Sequence, residues 1–236
     1  PLPGDWAGLA VSSTSTNNLL DNLIVRYGGG ASMLFSGDDS NIAVYTDSFT
    51  LSNSIIASSK TSGVRVSGGI APTIQNNLFS SNTTYPVYLD GAFGTHLSGN
   101  TASGNAPNGV ALDGSQAANV ATISSTNLPY VLAQNVTVPG SRTLNIGPGV
   151  VVKTGAPSRR VTVNGTLQAT GSAGAPIIFT SLKDDAAFGD TNGGVFWVDT
   201  KEPILSPTLL IHWLHAGFSP DGNRLVVSVR DASQLR

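Results

Sequence analysis

A constant spacing of 23 residues constrains this chain more than any other feature of its sequence. Gly63-Val64-Arg65-Val66-Ser67-Gly68 returns as Pro86-Val87-Tyr88-Leu89-Asp90-Gly91, and again as Gly109-Val110-Ala111-Leu112-Asp113-Gly114. A second line keeps the same step: Leu51-Ser52-Asn53-Ser54-Ile55, Ile74-Gln75-Asn76-Asn77-Leu78, Leu97-Ser98-Gly99-Asn100-Thr101. A fixed period in this range marks stacked supersecondary units, each burying its apolar face only against its neighbours.

The unit is built of strands. Val64, Val66, Val87, Leu89, Val110 and Leu112 alternate with Arg65, Tyr88 and Ala111, the two-residue period of a strand buried on one face. Ser-Gly and Asp-Gly turns close each strand, and two further short strands complete the unit. Three short strands and three turns per repeat predict an all-β, right-handed, single-stranded parallel β-helix, a solenoid whose rungs stack about 4.8 Å apart. Val64, Val87 and Val110 then form an inner ladder. Asn22, Asn53 and Asn76 form a turn ladder whose amides bond from rung to rung. A leucine-rich repeat shares this period and also places Asn after a strand. Its helical half favours Leu, Ala, Lys and Glu, in which these units are poor. Two earlier rungs are expected at Leu9-Ala10-Val11-Ser12 and at Met33-Leu34-Phe35-Ser36-Gly37, the latter followed by a longer loop over Asp38–Tyr45.

Composition narrows the chemistry. The 236 residues carry a formal net charge of −2, no basic footprint for nucleic acid, and no apolar run long enough to span a membrane. Without cysteine there are no disulfides, thiolate nucleophiles or Cys-zinc sites. Glu202 is the sole glutamate, so a pair of catalytic glutamates is excluded. A Ser/Thr/Asn/Gly-rich, Lys-poor surface suits a secreted or cell-surface bacterial protein. No signal-peptide pattern opens the sequence, and Pro1-Leu2-Pro3-Gly4 reads as an interior start within a longer protein.

Gly4-Asp5-Trp6-Ala7-Gly8-Leu9, followed by Asn22-Leu23-Ile24-Val25-Arg26-Tyr27-Gly28-Gly29, resembles secreted bacterial proteins of the right-handed parallel β-helix, pectate-lyase-like superfamily, over Pro3 to about Gly194. The resemblance implies the fold far more firmly than any activity. In such proteins a block like Val136–Ser181 usually precedes the Gly-Asp-Trp segment; here it follows. The chain therefore reads as a window on a tandem array: 1–127 as the later part of one module, 128–194 as the start of the next. Residues 195–236 depart from the family. Phe218-Ser219-Pro220-Asp221-Gly222-Asn223-Arg224-Leu225 resembles one strand-turn-strand unit of a TolB-type propeller, and one such unit serves here as a C-terminal hairpin or cap.

Candidate chemistry is sparse. Asp90 and Asp113 share one rung position, so their carboxylates stack about 5 Å apart, where they could share a proton, hold Ca²⁺ or act as acid and base on a polysaccharide. As the first residue of Asp-Gly turns, they equally well serve the backbone. Arg65 and Tyr88 share the outward line of the same strand, with Tyr85 and His96 near in sequence. A basic residue, aromatic platforms and acids on one face suit a uronic-acid chain, while scattered solvent-face residues would look the same in sequence. Superfamily lyases resembling pectate lyase use a basic residue as base and Ca²⁺ held by Asp, but no local motif around Arg26, Lys60 or Arg65 matches. Asp184, Asp185, Asp190 and Asn192 concentrate hard oxygen ligands among glycines, resembling the start of a calcium loop without its closing Glu. Two function classes follow: an extracellular module whose rigid surface binds cell-surface glycan or spaces neighbouring modules, and a polysaccharide lyase or glycoside hydrolase using the stacked Asp pair. Ice binding needs a long Thr ladder, and His96 interrupts the line begun by Thr50 and Thr73.

Overall fold

The structure is a computed structural model describing residues 1–189, 191, 196–198, 213–218 and 225–229. It comprises two compact units, Pro1–Thr191 and Asn192–Arg236.

The first unit is a solenoid. Its first rung is β1 (Leu9–Val11), β2 (Asn18–Asp21) and β3 (Ile24–Arg26). The second is β4 (Ser40–Val44), β5 (Phe49–Ser52) and β6 (Ile55–Ala57). The third is β7 (Ser62–Ser67), β8 (Thr73–Gln75) and β9 (Leu78–Ser80), and the fourth β10 (Val87–Asp90), β11 (His96–Ser98) and β12 (Thr101–Ser103). Above them lie β13 (Val110–Ser115), β14 (Val120–Ile123), β15 (Tyr130–Val138), β16 (Thr143–Ile146), β17 (Val151–Thr154), β18 (Val161–Val163), β19 (Thr166–Ala169) and β20 (Ile178–Ser181). All pair in parallel. Sheet A runs β1-β4-β7-β10-β13-β15-β17-β20, with β18 beside β15. Sheet B is β2-β5-β8-β11, sheet C is β3-β6-β9-β12 and sheet D is β14-β16-β19. No helix occurs among the described residues, which removes the leucine-rich alternative.

The inner ladder stands as the alternation predicts. Val64 pairs with Val87, Val66 with Leu89 and Leu89 with Leu112, and all are fully or almost fully buried. Phe79 and Ile56 stack from sheet C, and Ile74 and Leu51 from sheet B. The two halves of the sequence motif also meet. Gly29 and Gly30 donate to the carbonyls of Ala7 and Trp6, and the Trp6 indole donates to the Arg26 carbonyl at 2.8 Å.

The turn ladder lies one residue away from its expected place. Asn22, Asn53 and Asn76 are exposed, with φ of 55°, 49° and 56°, so their task is to adopt the left-handed conformation that Asn tolerates. Gly99 continues that line at φ 61°, and a Cβ there would run into the Asn76 amide. The buried ladder is Ser54–Asn77–Asn100. Asn77 Oδ1 accepts the Ser54 N–H at 3.0 Å, and its Nδ2 donates to the Leu51 carbonyl at 3.0 Å and to Asn100 Oδ1 at 3.1 Å. A second ladder, Ser59–Asn82–Asn105, repeats this on the far side of sheet C, behind the left-handed residues Ser58, Ser81 and Gly104. The short strands of sheet C are bounded by these two turns.

The second rung also differs from expectation. β4 is Ser40–Val44, with Ile42 opposite Val64 and Val44 opposite Val66. Met33–Gly37 imitates the strand pattern but lies in the loop before it, so the long connection is 27–39 and not Asp38–Tyr45. Near residues 127–128 sheets B and C have ended and sheet D has begun, while sheet A continues from β13 to β15 within one core. The C-terminal unit holds an antiparallel sheet, β21 (Phe196–Val198), β23 (Leu225–Val229) and β22 (Trp213–Phe218) in that spatial order. The Pro220-Asp221-Gly222-Asn223 turn lies outside the described residues.

The two adjacent asparagines have opposite roles, and substitution separates them. Asn76→Gly keeps the left-handed backbone and should shift stability by less than about 0.5 kcal/mol. Asn77→Ala strands the Ser54 N–H and the Leu51 carbonyl and should cost about 2–4 kcal/mol. Urea unfolding midpoints of the two variants check this.

Candidate functional site

Strand alternation turns Ala43, Arg65, Tyr88 and Ala111 outward on sheet A in one register line. Ser67, Asp90 and Asp113 form the next outward line, at the C-terminal ends of the strands. Five of the expected residues, Arg65, Tyr85, Tyr88, Asp90 and Asp113, therefore come together. Arg65 donates to Asp90 at 2.8 Å, and its guanidinium lies 4.6 Å from the centroid of the Tyr88 ring. The Tyr88 hydroxyl donates to Asp113 Oδ2 at 2.5 Å, and Tyr85 packs edge-on against Tyr88 at 5.8 Å. The stacked carboxylates thus each have their own donor, a guanidinium for Asp90 and a phenol for Asp113. Burial, and then the bond to Asp113, push the Tyr88 phenol far above its ordinary pKa. Burial raises Tyr85 too, with Arg159 pulling against it across the face.

His96 is not part of this group. It lies exposed on sheet B, opposite Thr73.

The neighbouring wall is built by the long loop, expected over Asp38–Tyr45 and found before β4. The 27–39 loop folds over the same strand ends and is ordered by Asp38. This buried carboxylate accepts the amides of Met33, Leu34 and Phe35 at 2.6, 2.7 and 3.0 Å and the Tyr45 hydroxyl at 3.1 Å. Phe35 stands edge-on to Tyr45, ring centroids 4.8 Å apart, and is 61% exposed. Phe35, Tyr45, Arg65, Ser67 and Asp90 are among the residues lining an open, shallow recess of ≈ 320 Å³.

Residues 7–181 match the family described as right handed beta helix region. The chain belongs to this right-handed β-helix family. No curated protein and no solved structure matches it. Membership fixes the hand of the solenoid and leaves its chemistry to the side chains that the rungs carry.

Of the four expected calcium ligands, Asp190 and Asn192 lie outside the described residues. Asp185 is exposed. Asp184 accepts from Thr180 Oγ1 at 2.7 Å and from the Ala186 amide at 3.1 Å, and the Thr180 bond above all holds its pKa below the ordinary carboxylate value. Within the same loop the buried Lys153 ammonium donates to the carbonyls of Asp184 and Gly189 at 3.0 and 3.1 Å and to Thr191 Oγ1 at 2.8 Å. Lys153 continues the outward line of Arg65 and Tyr88, so the loop is drawn across the far end of sheet A. Ala111 and Val131, outward on that line, are buried.

Burial raises the Asp38 carboxyl, but three amides and a phenol outweigh it and its pKa falls below the usual value. A depressed folded pKa gives stability that is complete above the unfolded value, about 3.9, and is lost as pH falls through the folded one. Amides of Met33, Leu34 and Phe35 should therefore stay protected from hydrogen exchange down to about pH 4 and lose protection below it. Asp38→Asn should expose them at neutral pH. Equal protection in that variant would show that the loop holds itself.

Proposed function

We propose that this β-helix is a rigid extracellular module whose sheet-A face binds glycan without cleaving it. The observation that carries the reading is the state of the two carboxylates. Asp90 is engaged as the anion of an ion pair and Asp113 as the acceptor of a phenol, so neither stands free over the face as a proton donor beside an unengaged base. Retaining and inverting hydrolysis both need one carboxyl as acid and another as nucleophile or base. What the face does offer suits recognition: aromatic edges at Phe35, Tyr45, Tyr85 and Tyr88 for sugar C–H surfaces, with Asp90 and Arg65 for hydroxyls. The face lies on stacked strands, so its groups keep fixed spacing along the rod without ordering cost on binding. A role as spacer between neighbouring modules is compatible with the same rod, and a secreted or cell-surface setting goes with it.

The enzymatic alternative makes a different prediction at one residue. The chain should bind at least one of pectin, alginate and xylan and release neither unsaturated products nor reducing ends. Tyr88→Ala should weaken binding about tenfold. Asp113→Asn keeps an oxygen to accept the Tyr88 hydroxyl and should leave binding unchanged, with stability shifted by less than about 1 kcal/mol. Turnover that Asp113→Asn abolishes at unchanged melting would make the chain an enzyme.

A further inference from the structure

Sheet A continues through β15, β17 and β20, whereas sheet C stops at β12. The side of the solenoid therefore has a step, and one edge of β12 opens onto it. Within a sheet β12 pairs with β9 alone.

The lower rungs show which backbone groups that edge carries. The Tyr27 amide donates to the Ala57 carbonyl of the next rung, Ser58 to Ser80, and Ser81 to Ser103. Gly104 is next in this line; it is exposed, and its amide meets no such acceptor among the described residues. In the other direction Ile55 donates to Leu23, Leu78 to Ser54 and Thr101 to Asn77. The next carbonyl of that line, at Asn100, receives no such donor among the described residues. Because Thr101 and Ser103 bond towards β9, the alternation of a parallel ladder turns the amide and carbonyl of Ala102 the other way, onto the step. The end of sheet B is finished differently. There the Gly99 amide donates to Asn127 Oδ1 at 2.9 Å, a side chain standing in for the strand that Asn76 finds at Ser98.

The side chains at the step match the open backbone. The inner line of sheet C runs Val25, Ile56, Phe79, Ala102. The first three are buried, and the line then drops to a methyl group that is only partly buried. Beside Ala102 lies a recess of ≈ 250 Å³, lined by Thr101, Leu128, Pro129, Phe188 and Asn127 among others, none of them charged. Phe188 is 40% exposed and has φ 68°, a left-handed conformation that is costly for a bulky residue and is found mainly where a site requires it. The step admits one strand and no more. A second copy of this chain cannot lay a whole rung on it, because the sheet-A strand of that rung would fall where β15 already pairs with β13.

We propose that the open edge of β12 is a docking site for a single extended, uncharged peptide segment of another protein. The segment adds a fifth strand to sheet C. It bonds to the amides of Ala102 and Gly104 and the carbonyls of Asn100 and Ala102, and it sets one aliphatic side chain into the recess over Ala102. Docking here needs no glycan on sheet A.

The test is a nuclear magnetic resonance titration of the full chain with the blocked peptide acetyl-Ser-Thr-Ile-Thr-Ser-amide. Before addition the Ala102 and Gly104 amides should exchange with solvent like those of an open loop, while the Ser81 amide, bonded to Ser103, is protected. On addition both should shift and become protected, with a dissociation constant of about 1 mM or below. The same peptide with Asp in place of Ile should bind at least about tenfold more weakly, since it would bring an unpaired charge into the recess. Ala102→Leu fills the recess from within and should abolish the shifts while Ser81 stays protected; Ala102→Val should weaken binding severalfold. Four results would each overturn the site: Ala102 and Gly104 amides already protected in the free chain, no shift at either amide at several times 1 mM peptide, equal binding of the Ile and Asp peptides, or binding that survives Ala102→Leu. If the leucine variant fails to fold, Ala102→Val and the comparison of the two peptides decide.

Discussion

Everything in this solenoid depends on the register between one rung and the next. Parallel strands offer even backbone bonding that tolerates slippage, so the side chains must set the step. Two kinds of ladder do so. Val64, Val87 and Val110 fill the interior, where a shift by one residue would turn every apolar side chain outward. Asn77–Asn100 and Asn82–Asn105 chain their amides through the buried turns, each amide also taking up a backbone carbonyl of the rung before. A buried amide left without its neighbour is costly, so these ladders penalise a misplaced rung more sharply than apolar packing alone.

The surface inherits that register. Arg65 lies beside Tyr88, and Asp90 beside Asp113, because the rungs beneath them are in step. The same strand positions that create the stacked carboxylates also bring a guanidinium to neutralise Asp90 and a phenol to donate a hydrogen bond to Asp113. Further along, the Lys153 ammonium satisfies loop carbonyls that would otherwise face the sheet. One sheet face thus carries charge-paired and aromatic stretches in sequence, while the outward lines of sheet C present Ile24, Ile55 and Leu78.

Much of the fold was legible because its period is strict. The 23-residue step located the inner ladder, the outward line Arg65–Tyr88 and the pairing of Asp90 with Asp113. It misled where two residues of one type are adjacent. Asn76 and Asn77 look alike in sequence, yet one supplies a left-handed turn and the other a buried amide, and only their opposite burial separates them. It also misled at Met33–Gly37, whose apolar-polar pattern matches a strand, whereas Asp38 gathers those amides into a loop. The partners of the candidate acids were hidden for a different reason. Arg65 meets Asp90, and Tyr88 meets Asp113, diagonally from one rung to the next, at a separation of 25 residues that no local motif encodes. The contribution of Phe35 and Tyr45 depends on where loops fold back, and loop direction has no period.

The claim that sheet A is the working face is tested most directly by hydroxyl-radical footprinting of the full chain, with and without a saturating amount of whichever of pectin, alginate and xylan binds tightest. Phe35, Tyr45, Tyr85 and Tyr88 should be protected by the polymer, while Ile24 and Leu78 on sheet C and His96 on sheet B react as before. Protection of the sheet B or C residues, with Phe35, Tyr45, Tyr85 and Tyr88 unchanged, would contradict it.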